Sequence, residues 1–93
     1  MLYVVVYDLP DNRRRTKLAK VLLAFGDRVQ ESVFECDLSD AAELARMVKQ
    51  IERRICVDKG DAVRIYRLCA TCVNEALVLG GTSLAQDPEL IIV

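Results

Sequence analysis

Asp8 closes the apolar run Leu2–Tyr7, and a basic cluster follows it at Arg13, Arg14, Arg15, Lys17 and Lys20. A carboxylate beside dense positive charge suggests a place where a cation and a phosphate meet. Magnesium keeps most of its waters and often takes only one or two protein carboxylates plus phosphate oxygens. One Asp8 is a thin ligand set. Two copies meeting across a dimer axis would supply the need, and a metal held there could activate water for attack on a phosphodiester. The competing reading of Asp8 is a turn residue whose carboxylate accepts backbone N–H bonds near Pro10 to Asn12. The arginines pose a related question, because cations at a helix N-terminus oppose the helix dipole. They are either solvated charge or phosphate ligands, since guanidinium forks and helix N–H groups both suit phosphate oxygens. Arg64 and Arg67 are further candidates for the same contact.

Other chemistries are excluded by what is missing. The chain contains no histidine, which removes the commonest general base and transition-metal ligand. Ser32 therefore has no activating base, and a serine-hydrolase reading fails. No G-x-x-x-x-G-K-[ST] loop occurs. Glu31 and Glu35, read as members of one strand, stand about 13 Å apart, too far to share one metal. Of the four cysteines, Cys36 and Cys56 sit in apolar patterns and read as core. Cys69 and Cys72 form a lone C-x-x-C that leaves three readings open: structural thiols, half of a metal site completed by a partner subunit, or a redox pair.

The totals set bounds on these candidates. Lysine and arginine number 13 against 14 acidic residues, a net charge of −1. Any nucleic-acid contact must come from a local cluster rather than from bulk charge. A chain of 93 residues makes one small domain. Such a domain buries only about 60–65% of its unfolded surface. Yet 53% of the residues are apolar, above the roughly 45–50% of ordinary domains. The excess predicts a second buried surface, such as a subunit interface. Met1 leads straight into an apolar strand with no basic segment ahead of it, and the apolar runs are far short of the about 20 residues that span a bilayer. The expectation is a cytoplasmic protein that makes no use of a membrane.

The elements that must position these residues follow from periodicity. The run LYVVVYD, apolar at nearly every position, reads as a central strand covered on both faces. Leu18, Val21, Leu22 and Phe25 recur at helical spacing, with Asp11 or Asn12 as cap and Gly26 as the stop. RVQESVFECDL alternates and reads as one second strand. Leu44, Met47, Val48, Ile51 and Ile55 stripe a second helix that opens on an Asp40–Glu43 capping box. AVRIYRLC is a third strand, EALVLG a short fourth one, and ELIIV a terminal one. The succession fits an α+β ferredoxin-like βαββαβ sandwich with an additional short C-terminal strand. Residues 1–80 form the domain, and 81–93 a linker and strand that can dock on an edge, including a partner's. Right-handed crossovers put both helices on one sheet face. The apolar character of the first strand then requires something over the other face, and sheet-to-sheet dimerisation supplies it.

Together, the strand ending YD, the stretch RRTKLAKVLLAFGDRVQESVFEC and the later VRIYRLC closely resemble the CRISPR-associated protein 2 family. The most specific part is GDRVQESVFE, Gly26 to Glu35. The resemblance implies a ferredoxin-like homodimer joined through its sheets and a role in CRISPR adaptation. There the dimer bridges dimers of CRISPR-associated protein 1 and helps hold spacer DNA. It also implies a metal-dependent endonuclease acting on RNA or DNA, with magnesium or manganese as cofactor. The family's first-strand aspartate maps onto Asp8 as catalytic and metal-binding residue. The basic positions map loosely onto Arg13, Arg14 and Arg15, with Lys17 beside them. Phe34 matches a family position and reads as packing. Two alternatives stand beside this reading: a DNA-binding scaffold without chemistry, and a small toxin-like ribonuclease module of the same fold.

Overall fold

The computed structural model of the protein describes residues 1–81 and Leu84. Strand β1 is Leu2–Asp8, helix α1 Asn12–Leu23, strands β2 and β3 Asp27–Gln30 and Val33–Asp37, helix α2 Ala41–Glu52, strand β4 Ala62–Leu68 and helix α3 Ala70–Glu75. The four strands form one sheet in the order β2-β3-β1-β4, antiparallel at every pair. This is the expected βαββαβ arrangement, with β1 in the middle as its unbroken apolar run requires.

Local chemistry sets the helix boundaries. Asp11 caps α1, its carboxylate accepting the Arg14 backbone N–H at 2.9 Å. Asp40 does the same for α2, accepting from the Glu43 N–H at 2.8 Å. Glu43 reaches back to the Ser39 N–H and hydroxyl, one residue before the cap, and these bonds hold its carboxyl below the usual glutamate range. Helix α1 ends at Leu23, so Gly26 lies beyond the position a helix-stopping glycine takes. Its φ is not in the left-handed region. Gly26 is needed for close approach instead: a Cβ there would overlap the Glu35 carbonyl oxygen and lie 2.6 Å from the Cys36 Cα.

The core lies between the helices and one sheet face. Val5 and Tyr7 of β1 and Phe34 and Cys36 of β3 meet Leu18 and Leu22 of α1 and Met47 and Ile51 of α2. Each fully buried side chain of this kind stabilises the fold by about 1.5–3 kcal/mol. On the opposite face, the registers align Val4 and Val6 with Val33, Glu35, Arg64 and Tyr66. Among the described residues, no helix covers the centre of that face. Val73 of α3 is buried near its far end, in the neighbourhood of Leu2 and Leu68.

Three expectations are corrected. The stretch RVQESVFECDL is a hairpin, turning at Glu31–Ser32, rather than one strand. Glu31 therefore sits in a turn and does not share a strand face with Glu35. EALVLG forms no strand: Glu75 ends α3, and residues 76–79 belong to neither helix nor strand, with a bend at Gly80. The cysteine loop is partly helical, because α3 begins directly after Cys69. The expected terminal strand ELIIV lies outside the described residues.

Candidate functional site

Asp8 is the last residue of β1 and pairs with Ala62, the first of β4. Strand alternation places its side chain with Val4 and Val6, on the face away from α1 and α2. The residue is exposed, and its carboxylate makes no hydrogen bond or ion pair among the described residues. The turn role that competed for it belongs to Asp11, which caps α1. Asp11's carboxyl is held below the usual aspartate range, first by the Arg14 backbone N–H.

Everything around Asp8 is tied down. Leu9 is buried immediately after it. The Arg15 guanidinium donates to the carbonyl oxygens of Leu9 at 2.8 Å and Pro10 at 3.1 Å, and to the Asn12 side-chain oxygen at 3.0 Å. Arg14 donates through Nε to Asp61 Oδ2 at 2.7 Å and through Nη2 to Oδ1 at 3.0 Å. This is a bidentate fork on a carboxylate with no exposed side-chain surface. Asp61 also accepts the Cys56 backbone N–H at 2.7 Å. On the other flank, the Tyr7 hydroxyl donates to the Glu31 carbonyl at 3.2 Å, the Tyr7 N–H donates to the Ser32 carbonyl at 3.1 Å, and Arg28 also donates to Glu31. The strand end carrying Asp8 is thus braced by the start of α1, the entry to β4 and the β2–β3 turn.

This geometry divides the basic cluster. Arg14 and Arg15, expected at phosphate, spend their guanidinium groups on Asp61 and on loop carbonyls. Both are partly buried, and their position is explained by architecture. Arg13 and Lys17 are exposed, and among the described residues their side chains make no hydrogen bond or ion pair, although the charge of Arg13 acts on Asp11. Lys20 is exposed as well and lines a cleft of about 290 Å³ with Tyr7, Asn12 and Arg15. Arg64 donates to the Tyr66 hydroxyl at 3.2 Å on the open sheet face, and Arg67 is exposed. Sequence reasoning missed Asp61; nothing in a solitary aspartate after glycine signals burial. Among the described residues, no three His, Cys, Asp or Glu side chains cluster as a metal site. A single chain therefore presents Asp8 as one unengaged carboxylate, a donor of the hard type that magnesium accepts.

A ferredoxin-like sheet whose one face and whose rim aspartate on β1 are both left open by the described residues defines a class of small α+β proteins. A family model described as CRISPR associated protein Cas2 matches residues 1–76. A relative from Chloroflexus aurantiacus, "CRISPR-associated endoribonuclease Cas2 1", is 44% identical over 80 residues, covering 86% of this chain and 85% of its own. "CRISPR-associated endoribonuclease Cas2 3" of Synechocystis is 39% identical over 92 residues, covering 99% and 98%. The crystal structure of Streptococcus pyogenes Cas2 superposes with a TM-score of 0.74 at 30% identity, covering 86% of this chain and 100% of that one. A chain of a partial Cas6-RT-Cas1–Cas2 complex does so with a TM-score of 0.77 at 26% identity, covering 94% and 93%. The chain belongs to the CRISPR-associated protein Cas2 family.

Proposed function

We propose that this protein is a homodimeric, nucleic-acid-binding component of CRISPR spacer acquisition, with a metal-dependent endonuclease centre built from two copies of Asp8. The observation that carries the nuclease reading is the state of Asp8: exposed, without a side-chain partner among the described residues, and held on a braced strand end. Asp8 shares its sheet face with half-buried Val4, Val6 and Val33, an apolar surface that suits a second copy of the chain. Two such carboxylates facing one another would match magnesium's preference for one or two carboxylates plus phosphate. A bound magnesium would supply charge neutralisation and a water of lowered pKa. The chain's own part is to hold Asp8 in place and to grip the substrate backbone through Arg13 and Lys17. The endoribonuclease names of the relatives support RNA as substrate, and the Cas1–Cas2 complex among the neighbours supports the integrase subunit as partner.

A second reading, a DNA-binding scaffold without chemistry, is favoured by the lack of a cluster of metal-binding side chains among the described residues. One paired experiment separates the two. Cleavage of RNA and duplex DNA is measured with and without magnesium, beside spacer acquisition in cells, for the wild type and Asp8→Ala. The nuclease reading expects cleavage by the variant to fall to the metal-free level. Cleavage that persists undiminished removes Asp8 from the mechanism. Acquisition that persists while cleavage is lost assigns the cellular role to the scaffold. Arg13→Ala with Lys17→Ala should weaken binding and flatten its salt dependence, by about 0.9 in the log–log slope per lost duplex phosphate contact.

A further inference from the structure

Cys69 and Cys72 lie at the end of β4 remote from Asp8, outside everything assigned above. Both are exposed, whereas Cys36 is buried and Cys56 half-buried. Their exposure sets them apart from core thiols, and their Sγ atoms stand 3.4 Å apart. A disulfide bond is about 2.05 Å long, so the sulfurs have only a short gap to close. A closed zinc site asks for four ligands, and this pair brings two.

We propose that Cys69 and Cys72 form a reversible dithiol–disulfide site, with Cys69 as the attacking thiol and Cys72 as the resolving one. The asymmetry comes from the local backbone. Cys69 occupies the cap position of α3 in extended conformation, φ −72° and ψ 170°. The Cys72 backbone N–H dipole and then the Cys72 thiol beside it favour its thiolate, which lowers the Cys69 thiol below its ordinary value. The contact with the Cys69 sulfur, and then its charge, raise Cys72 above its own. Attack requires the thiolate, so Cys69 reacts first.

The co-reactant is a low-molecular-weight disulfide of the glutathione type. The Cys69 thiolate attacks one of its sulfurs, forming a mixed disulfide and expelling one thiolate, which takes up a proton. Cys72 then loses its proton and attacks the Cys69 sulfur, expelling the second thiolate, which is protonated in turn. Two protein thiols are oxidised and one disulfide is reduced to two thiols. The new bond staples the end of β4 to the first turn of α3, the element from which the apolar segment Leu77–Leu79 departs.

The test uses the full chain in buffers of graded reduced-to-oxidised glutathione ratio, followed by alkylation and peptide mass mapping. The expected product is one intrachain Cys69–Cys72 disulfide that reverts in excess reduced glutathione. Cys36, whose burial pushes its thiol up to about 11, stays unmodified in the folded protein. Cys72→Ser should stop at glutathione attached to Cys69, and Cys69→Ser should react far more slowly. Equal rates in the two variants overturn the assignment of roles. Chain-to-chain disulfides in place of the intrachain one overturn the site. So does one zinc ion bound per two chains that shields both thiols from alkylation.

Discussion

Asp61 carries a charge with almost no contact to water, at 4% exposure, and it is the buried charged residue among those described. Buried carboxylates persist when their oxygens are filled by donors, and here the Arg14 fork and the Cys56 N–H fill them. The Arg14 hydrogen bonds hold its carboxyl below the ordinary 3.8. A depressed carboxylate stabilises the fold fully above its unfolded-state value, and that contribution is lost as pH falls through the folded-state value. The wild type should therefore lose this contribution only below about pH 3.8. Asp61→Asn should lower Tm at neutral pH and flatten the acid limb of the Tm–pH curve, measured by calorimetry between neutral and acid pH. An unchanged acid limb would show that Asp61 does not carry it. Arg14→Ala should lower Tm at neutral pH in the same way, whereas Arg13→Ala should leave it unchanged while weakening nucleic-acid binding. Adjacent arginines of identical chemistry thus separate into a brace and an exposed side chain.

At the level of elements, the β2–β3 hairpin is the part that local rules could not provide. The sequence V-Q-E-S-V has no glycine, proline or asparagine to announce a turn, so its alternation reads as continuous strand. The turn exists because Tyr7 and Arg28 hold the Glu31 carbonyl and Tyr7 bonds Ser32 across the sheet. The Arg28 guanidinium also stacks over the Phe34 ring, 5.8 Å from its centroid. The hairpin's start depends on Gly26, which lies against the backbone of Glu35 and Cys36. Gly26→Ala should destabilise the protein by about 1–3 kcal/mol or more, the range for overpacking a close contact. Chemical denaturation measures it; a change within error would mean that the two segments part without cost. Helix α3 escaped notice for a different reason. It has six residues and no side-chain cap, and one buried residue, Val73, is too few to show a period.

Across the whole molecule, the unbalanced feature is the sheet face opposite α1 and α2. Tyr66 is 49% exposed there, and Val4, Val6 and Val33 are only half-buried. Leu77 and Leu79, at 88% and 94% exposure, add further apolar surface from the segment after α3. An apolar patch of this kind calls for a partner surface, and a symmetric sheet-to-sheet contact would bring two copies of Asp8 onto one side. Val6→Lys places a charge at the centre of that face without touching the helix-side core. It should convert a dimer to a monomer in sedimentation equilibrium while leaving the circular dichroism spectrum unchanged. A variant that remains dimeric moves the interface elsewhere.

The sequence by itself determined the element types with strong periodicity: the central β1, both long helices, with Asp40 as one cap and Asp11 or Asn12 as the other, and β4. It also singled out Asp8, because an acidic residue closing an apolar strand is visible in one dimension. These features depend on neighbours a few residues apart. Only the tertiary structure decided which arginines are free, because Arg14 meets Asp61 across 47 positions of chain. It alone revealed the Glu31–Ser32 turn, the role of Gly26 and the proximity of the Cys69 and Cys72 sulfurs to each other. Each of these rests on geometry between backbone segments or on side-chain rotation, which residue type and spacing do not encode.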